Sequence, residues 1–167
     1  MPLGDTGGMK IICSAARTFK SEPSPIFELM VDAASFPGCF TGYGLIPAIV
    51  SIRLNETLAV GVIRHIYNAD GSVLNETVTL LDKPNRHRYI LSGFKAPFSW
   101  LVRQGESDWQ LSQQERGTHV RWTYEFTLTT FLLYPICFIL LKFFMQGAMQ
   151  RCLENMSDML NASKNSD

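Results

Sequence analysis

The chain has 167 residues, 46% of them apolar, and its 15 basic residues are balanced by 15 acidic ones. That length and apolar share suit a single domain over residues 1–167, with one core that needs neither disulfide nor metal to hold it. A formal charge of zero withholds the positive field that nucleic-acid binding requires, so no nucleic-acid partner is expected.

In chain order, residues 1–9 read as a loose extension, with Met9 an alternative start. No basic segment followed by a long apolar run marks a secretory signal. Residues 10–19, KIICSAARTF, read as a first strand. Pro23 and Pro25 suit the first turn of a helix, where a missing N–H costs nothing, and Ile26, Phe27, Met30 and Val31 recur at helical spacing up to the Phe36-Pro37-Gly38 break. Beyond Pro47 six extended runs follow, AIVSIRL, LAVGVIRHIY, SVLNETVTLL, HRYILSGF, VRQGESDWQLSQQ and THVRWTYEFTL, separated by turn residues as in an antiparallel meander.

After Pro135 the period returns to helical, with Phe138, Leu141, Met145, Met149, Cys152, Met156 and Leu160 on one stripe. The polar residues 162–167 read as a frayed tail. The start of this helix, FLLYPICFILLKFFM, is interrupted by Pro135 and Lys142 and falls short of the ~20 apolar residues that span a bilayer. It reads as a buried helix start, with no stable membrane span. Because a single sheet cannot leave one face bare, the long C-terminal helix is the element available to cover it.

The stretch 61–78 carries the most specific signal. Ala-Asp-Gly between two strands suits a three-residue hairpin loop, a type I turn closed by a left-handed glycine. Asn68 then pairs with Ser72, and four residues back along each strand Arg64 stands opposite Glu76. Val60, Val62 and Ile66 share the parity of Arg64, and Leu74, Val78 and Leu80 that of Glu76. Both charges therefore sit among apolar neighbours. Two readings stay open: a partly exposed cross-strand pair, or the polar handle of a ligand cavity. The last strand alternates in the same way, with Val120, Trp122, Tyr124 and Phe126 on one face, while Trp109 and Leu111 give the preceding strand an inward pair.

Other chemistry is sparse. Cys13, Cys39, Cys137 and Cys152 form no CxxC or Cys/His cluster, so no metal is expected, and the bland reading is a reduced, cytoplasmic protein with buried thiols. His65, His87 and His119 fall on outward positions or at a turn and read as solvated. No nucleophile elbow, phosphate loop or dinucleotide fingerprint occurs, and no cofactor is expected.

Taken together, the segments at Pro25 to Pro37, Gly61 to Glu76, Leu80 to Pro84 and His119 to Phe126, with the closing helix, resemble the START-like (SRPBCC) superfamily, in its polyketide cyclase/dehydrase and lipid-transport branch. The resemblance covers nearly the whole chain. It implies an α+β helix-grip fold: a seven-stranded bent antiparallel sheet wrapped around a long C-terminal helix, with two short helices between strands 1 and 2. It also implies a ligand tunnel between sheet and helix, gated by loops 40–47 and 93–100. The sequence departs from the family pattern at Cys39-Phe40, where a Trp commonly stands.

On this basis the candidate ligand-binding residues are Arg64, Glu76, Val62, Val78, Tyr89, Trp109, Trp122, Tyr124, Phe138, Met145 and Met149. The expected function is binding or transport of a small hydrophobic, lipid-like or polyketide-like molecule. Cyclase or dehydratase chemistry is the alternative, with Arg64 polarising a carbonyl while Glu76 or Tyr124 moves a proton. A third reading makes the apolar 131–144 segment a protein- or membrane-contact surface, and leaves a homo-oligomer open.

Overall fold

The computed structural model describes residues 8–166, so residues 1–7 of the expected extension lie outside the described range. Seven strands, β1 (Lys10–Phe19), β2 (Ile49–Arg53), β3 (Ile63–Asn68), β4 (Val73–Asp82), β5 (Arg86–Ser92), β6 (Val102–Gln114) and β7 (Gly117–Leu128), form one antiparallel sheet. Their order is β1-β7-β6-β5-β4-β3-β2. Strict alternation builds the inner face. Thr118, Val120, Trp122, Tyr124, Phe126 and Leu128 are buried along β7, and Ile11, Cys13, Ala15 and Phe19 along its neighbour β1.

Between β1 and β2, helix α1 (Pro23–Val31) begins with proline in its first turn and buries Ile26, Phe27, Leu29, Met30 and Val31. The second expected helix is a single 3-10 turn, Phe36–Gly38. A short helix α2 (Phe98–Leu101) precedes β6. The chain closes with α3 (Phe131–Lys164), which runs through Ala162, Ser163 and Lys164 and so extends into the stretch expected to fray.

The sheet and α3 are tied at β1, an edge strand whose free backbone groups would otherwise attract another chain. The Ser14 N–H donates to Gln146 Oε1 at 3.2 Å, and the Lys142 ammonium donates to the Ile12 carbonyl. The Cys13 thiol donates to the Leu141 carbonyl at 3.2 Å. All four cysteines are free and buried. Burial pushes the Cys13 and Cys39 thiols up to about 11, so neither is a thiolate near neutral pH.

Several sequence expectations need correction. The third strand starts at Ile63 rather than near Leu58, because Ala59 to Val62 form a turn (Val62 N–H to the Ala59 carbonyl, 3.1 Å) with Gly61 at φ +91°. Val62 is half-buried outside the strand and Val60 is exposed. A bulge between Val78 and Leu80 then reverses the parity of β4, so that Leu81 faces His87 across the β4–β5 pair. His87 is fully buried rather than solvated, sharing the inward parity of β5 with Tyr89 and Leu91.

The helix corrects two further readings, the first being that its start is buried: Phe131, Leu132, Ile136, Ile139 and Phe143 are exposed. Residues Leu140–Met145 form a π-helical segment inside α3, which sets the apolar stripe out of phase between its two halves. Cys137, Leu141 and Met145 lie on the inward face, followed by Met149, Cys152 and Met156. Phe138 therefore turns outward, 39% exposed, with its ring 5.8 Å from that of Tyr134.

Candidate functional site

Between the inner face of the sheet and the first half of α3 lies a cavity of about 560 Å³. The sheet contributes Ile66, Leu74, Leu91 and Phe126 to its walls, and α3 contributes Ile139, Leu140 and Met145. Both loops expected at the mouth take part: Phe40, Leu45 and Ile46 from one, Phe94, Pro97 and Phe98 from the other. The first loop is laid along α3 at two glycines. Gly44 sits so close to Phe144 that a Cβ there would meet its ring at 2.1 Å, and Gly147 faces the Tyr43 ring in the same way at 2.8 Å. Arg151 lies 4.9 Å from the centroid of that ring.

Polar lining falls into two groups. On the outer rim, Asp70 Oδ1 accepts from the Ser72 hydroxyl at 2.6 Å, with Asn68 and Lys95 alongside. Ser72 is itself buried, and deeper on the wall the oxygens come from Glu76, Tyr89 and Tyr124. The hairpin that places Glu76 folds as its turn residues dictate: Asn68 N–H donates to the Ser72 carbonyl at 2.9 Å, and Gly71 takes φ +82°. Arg64 then pairs with Glu76 in register across β3 and β4.

Arg64 is 2% and Glu76 4% exposed. The guanidinium Nε and Nη2 both lie 2.7 Å from the same carboxylate oxygen, Oε1, while Nη1 donates to the carbonyl of Val31 at 2.9 Å. Val31 ends α1, where carbonyls lack helical partners and the dipole is negative. Arg64 thus joins the sheet to α1 as well as to Glu76. Burial opposes its charge, but the adjacent carboxylate outweighs that and holds the Arg64 pKa above its ordinary value.

The hydroxyls of Tyr89 and Tyr124 are hydrogen-bonded to each other at 2.8 Å. Burial pushes Tyr89 up to about 12 and Tyr124 well above its ordinary value, so both stay protonated across the physiological range. One hydroxyl donates to the other, which keeps a proton of its own. Next to them Trp122 Nε1 donates to Ser107 Oγ at 2.9 Å, and its ring stacks on Trp109 at 4.0 Å. Phe40, of the Cys39-Phe40 pair, meets the Trp122 ring edge-on at 6.2 Å.

Of the residues singled out from sequence, Glu76, Tyr89, Trp122, Tyr124 and Met145 lie together on the cavity wall. Arg64, Val78, Trp109 and Met149 are buried behind it, whereas Val62 and Phe138 lie away from it. Sequence reasoning missed His87, whose parity with Tyr89 was the available signal. Its Nδ1–H donates to the Leu80 carbonyl at 3.0 Å, and its buried Nε2 has no hydrogen-bond partner among the described residues. Burial, with a smaller opposing contribution from Glu76, holds its pKa below the usual histidine value.

A bent sheet gripping a long helix over an interior cavity defines a helix-grip protein. The family model for "Polyketide cyclase / dehydrase and lipid transport" matches residues 11–160, and the chain belongs to that family. No curated protein sequence matches the chain. Among solved structures it is similar to a Thalictrum norcoclaurine synthase point mutant in complex with a transition-state analogue (TM-score 0.70, 10% identity, covering 96% of this chain and 99% of that one). It is also similar to the ginseng major latex-like protein 151 of Panax ginseng (TM-score 0.67, 12% identity, covering 91% and 98%). The di-domain ARO/CYC StfQ from the steffimycin biosynthetic pathway matches with a TM-score of 0.73 at 10% identity, covering 94% of this chain and 53% of StfQ. At these identities the likeness is one of fold.

Proposed function

We propose that the protein binds and carries a small hydrophobic molecule that bears hydrogen-bonding oxygen at one end. The observation that supports this reading is the cavity of about 560 Å³, apolar over most of its wall, with the oxygens of Glu76, Tyr89 and Tyr124 among its buried polar groups. Its size falls within the roughly 300–1,000 Å³ of small-molecule sites, which pair apolar walls with a few convergent polar groups. Arg64 occupies Oε1 of Glu76, so Oε2 is the oxygen left to accept from a ligand hydroxyl. The tyrosine pair supplies one donor for a carbonyl or hydroxyl oxygen. A free carboxylate at the buried end fits poorly, because it would face Glu76, whereas the lysine of the lining, Lys95, stands at the rim with Asp70.

The test is native mass spectrometry of the purified protein, followed by titration with a fluorescent fatty alcohol and competition by apolar ketones and phenols. The reading requires saturable binding of one probe per chain. A protein that retains nothing and takes up no probe would overturn it.

A second reading is favoured by one specific contact, the hydroxyl pair of Tyr89 and Tyr124 on the same wall as Glu76. A poly-β-ketone folded into the cavity would meet a proton donor at one carbonyl and a fixed carboxylate nearby, as aldol cyclisation and dehydration need. In that reaction the tyrosine proton stabilises the developing enolate, and the carboxylate takes a proton from the carbon between two carbonyls. Incubation with a diketide or triketide analogue tests it. Turnover that survives Glu76→Gln unchanged would remove the acid–base role.

A further inference from the structure

The mouth of the cavity opens on an apolar surface that none of the described residues covers. Along the first half of α3, Leu132, Ile136, Ile139 and Phe143 are 73%, 58%, 54% and 65% exposed. They recur three or four residues apart and so form one stripe along the helix. Leu45 and Trp100, from the two mouth loops, are exposed as well. Leu45, Ile136 and Ile139 belong at once to this surface and to the cavity lining, so patch and entrance are continuous. The helix is apolar enough by length and composition to cross a membrane, and only 22% of its most apolar 18-residue stretch is buried. Its second half, however, is packed against the sheet through Met149, Cys152 and Met156. A span would tear that half away, whereas contact at the surface leaves the fold intact.

Charge decides between a bilayer and a second copy of the chain. Lys95 stands at the cavity mouth, Arg103 follows the short helix that carries Trp100, and Lys142 precedes Phe143 in α3; the sequence has no Asp or Glu between Glu125 and Glu154 or between Asp82 and Glu106. Asp70, the carboxylate on the rim, is held by Ser72 and faced by Lys95. Two copies docked patch to patch would set cations against cations, since a two-fold interface repeats the same surface. A membrane with anionic headgroups meets the same ring of cations with opposite charge, while acyl chains take the leucine, isoleucine and phenylalanine side chains.

We infer that the protein docks on the surface of an anionic lipid bilayer through the α3 stripe and the two mouth loops, with the cavity entrance facing the acyl region. An apolar ligand would then pass between bilayer and cavity without crossing water. The docking stands on the exposed surface and its charges, independently of what the cavity holds.

The experiment uses the full chain, free of added ligand, with vesicles of phosphatidylcholine alone and of phosphatidylcholine mixed equally with phosphatidylserine. The protein sediments with the mixed vesicles. Leu132→Asp combined with Ile136→Asp weakens that binding at least ~10-fold, because both apolar anchors are lost. Lys95→Glu with Arg103→Glu weakens it ~10-fold or more on the mixed vesicles and little on the neutral ones. Trp100 is the exposed one of three tryptophans, so its emission shifts to the blue on vesicle addition, and Trp100→Phe abolishes the shift. Circular dichroism stays unchanged in these surface variants, and probe uptake in solution stays unchanged in Leu132→Asp alone, Arg103→Glu alone and Trp100→Phe, whose positions lie off the cavity lining. If the double aspartate variant fails to fold, the charge variant and the Trp100 signal still decide. Failure of the wild-type protein to sediment with either vesicle overturns the proposal, and so does a dimer in solution that Leu132→Asp dissociates without any vesicle binding. Loss of probe uptake with vesicle binding retained would instead count against the cavity reading alone.

Discussion

Arg64 and Glu76 face each other across β3 and β4 at 2.7 Å, with Glu76 on the cavity wall and Arg64 behind it, holding the last carbonyl of α1. The pair therefore couples three things: the hairpin register, the position of α1 and the polarity of the cavity. A buried ion pair adds little over an apolar substitute, but breaking it leaves a charge in a medium that cannot solvate it. Glu76→Leu should cost about 3–5 kcal/mol in urea unfolding. The double variant Arg64→Met, Glu76→Leu should recover most of that loss, less about 1–3 kcal/mol for the orphaned Val31 carbonyl. A Glu76→Leu protein as stable as wild type would show that the carboxylate does not hold Arg64.

His87 supplies a pH dependence whose sign follows from its burial. Its pKa in the folded protein lies below the ordinary value of 6.5, so the unfolded chain takes up the proton first. Stability from this residue is fully present above that value, declines as pH falls below it, and stops declining once pH passes the lowered folded value. Glu76 and Arg64 act on the ring with opposite signs and partly cancel. Urea midpoints at neutral and mildly acidic pH, compared for wild type and His87→Gln, measure the effect. The wild type should lose more stability on acidification than the variant does; equal losses would refute a buried neutral imidazole.

The hydroxyl pair on the cavity wall predicts a selective loss of affinity. Removing either oxygen, by Tyr89→Phe or Tyr124→Phe, should weaken a carbonyl-bearing probe by about fivefold, one hydrogen bond of about 1 kcal/mol. A pure hydrocarbon probe should bind as before. Competition titration of the two probes against both variants makes the comparison, and equal loss for both probes would mean that the cavity has changed shape.

Filling the cavity separates ligand uptake from folding. Leu91 is buried on its wall beside open space, so Leu91→Trp should abolish probe binding while costing less than the ~1–3 kcal/mol of overpacking a closed core. A fully destabilised Leu91→Trp protein would indicate that the wall is already packed.

The mouth loop offers a kinetic test. Gly44 has φ +56°, and a Cβ there would strike the Phe144 ring. Gly44→Ala should lift the loop from α3 and speed probe release in stopped-flow displacement, several-fold more than it changes the unfolding midpoint. Unchanged release would show that ligand does not pass this loop.

From sequence alone, period and turn chemistry determined the six-strand meander, the long closing helix and the pairing of Arg64 with Glu76, while the place of β1 beside β7 came from the tertiary structure. The pairing follows because a glycine-closed hairpin sets register, and register sets which residues face each other. Three further features answered to tertiary structure. The bulge after Val78 and the parity of β5 buried His87, since burial depends on which neighbours a strand finds rather than on its own alternation. The π-helical segment at Leu140–Met145 turned Phe138 outward, because one altered turn resets the phase of every side chain before it. The open space between sheet and helix is the third, for a side chain's identity says that it avoids water and not whether another side chain or a ligand fills the volume beside it.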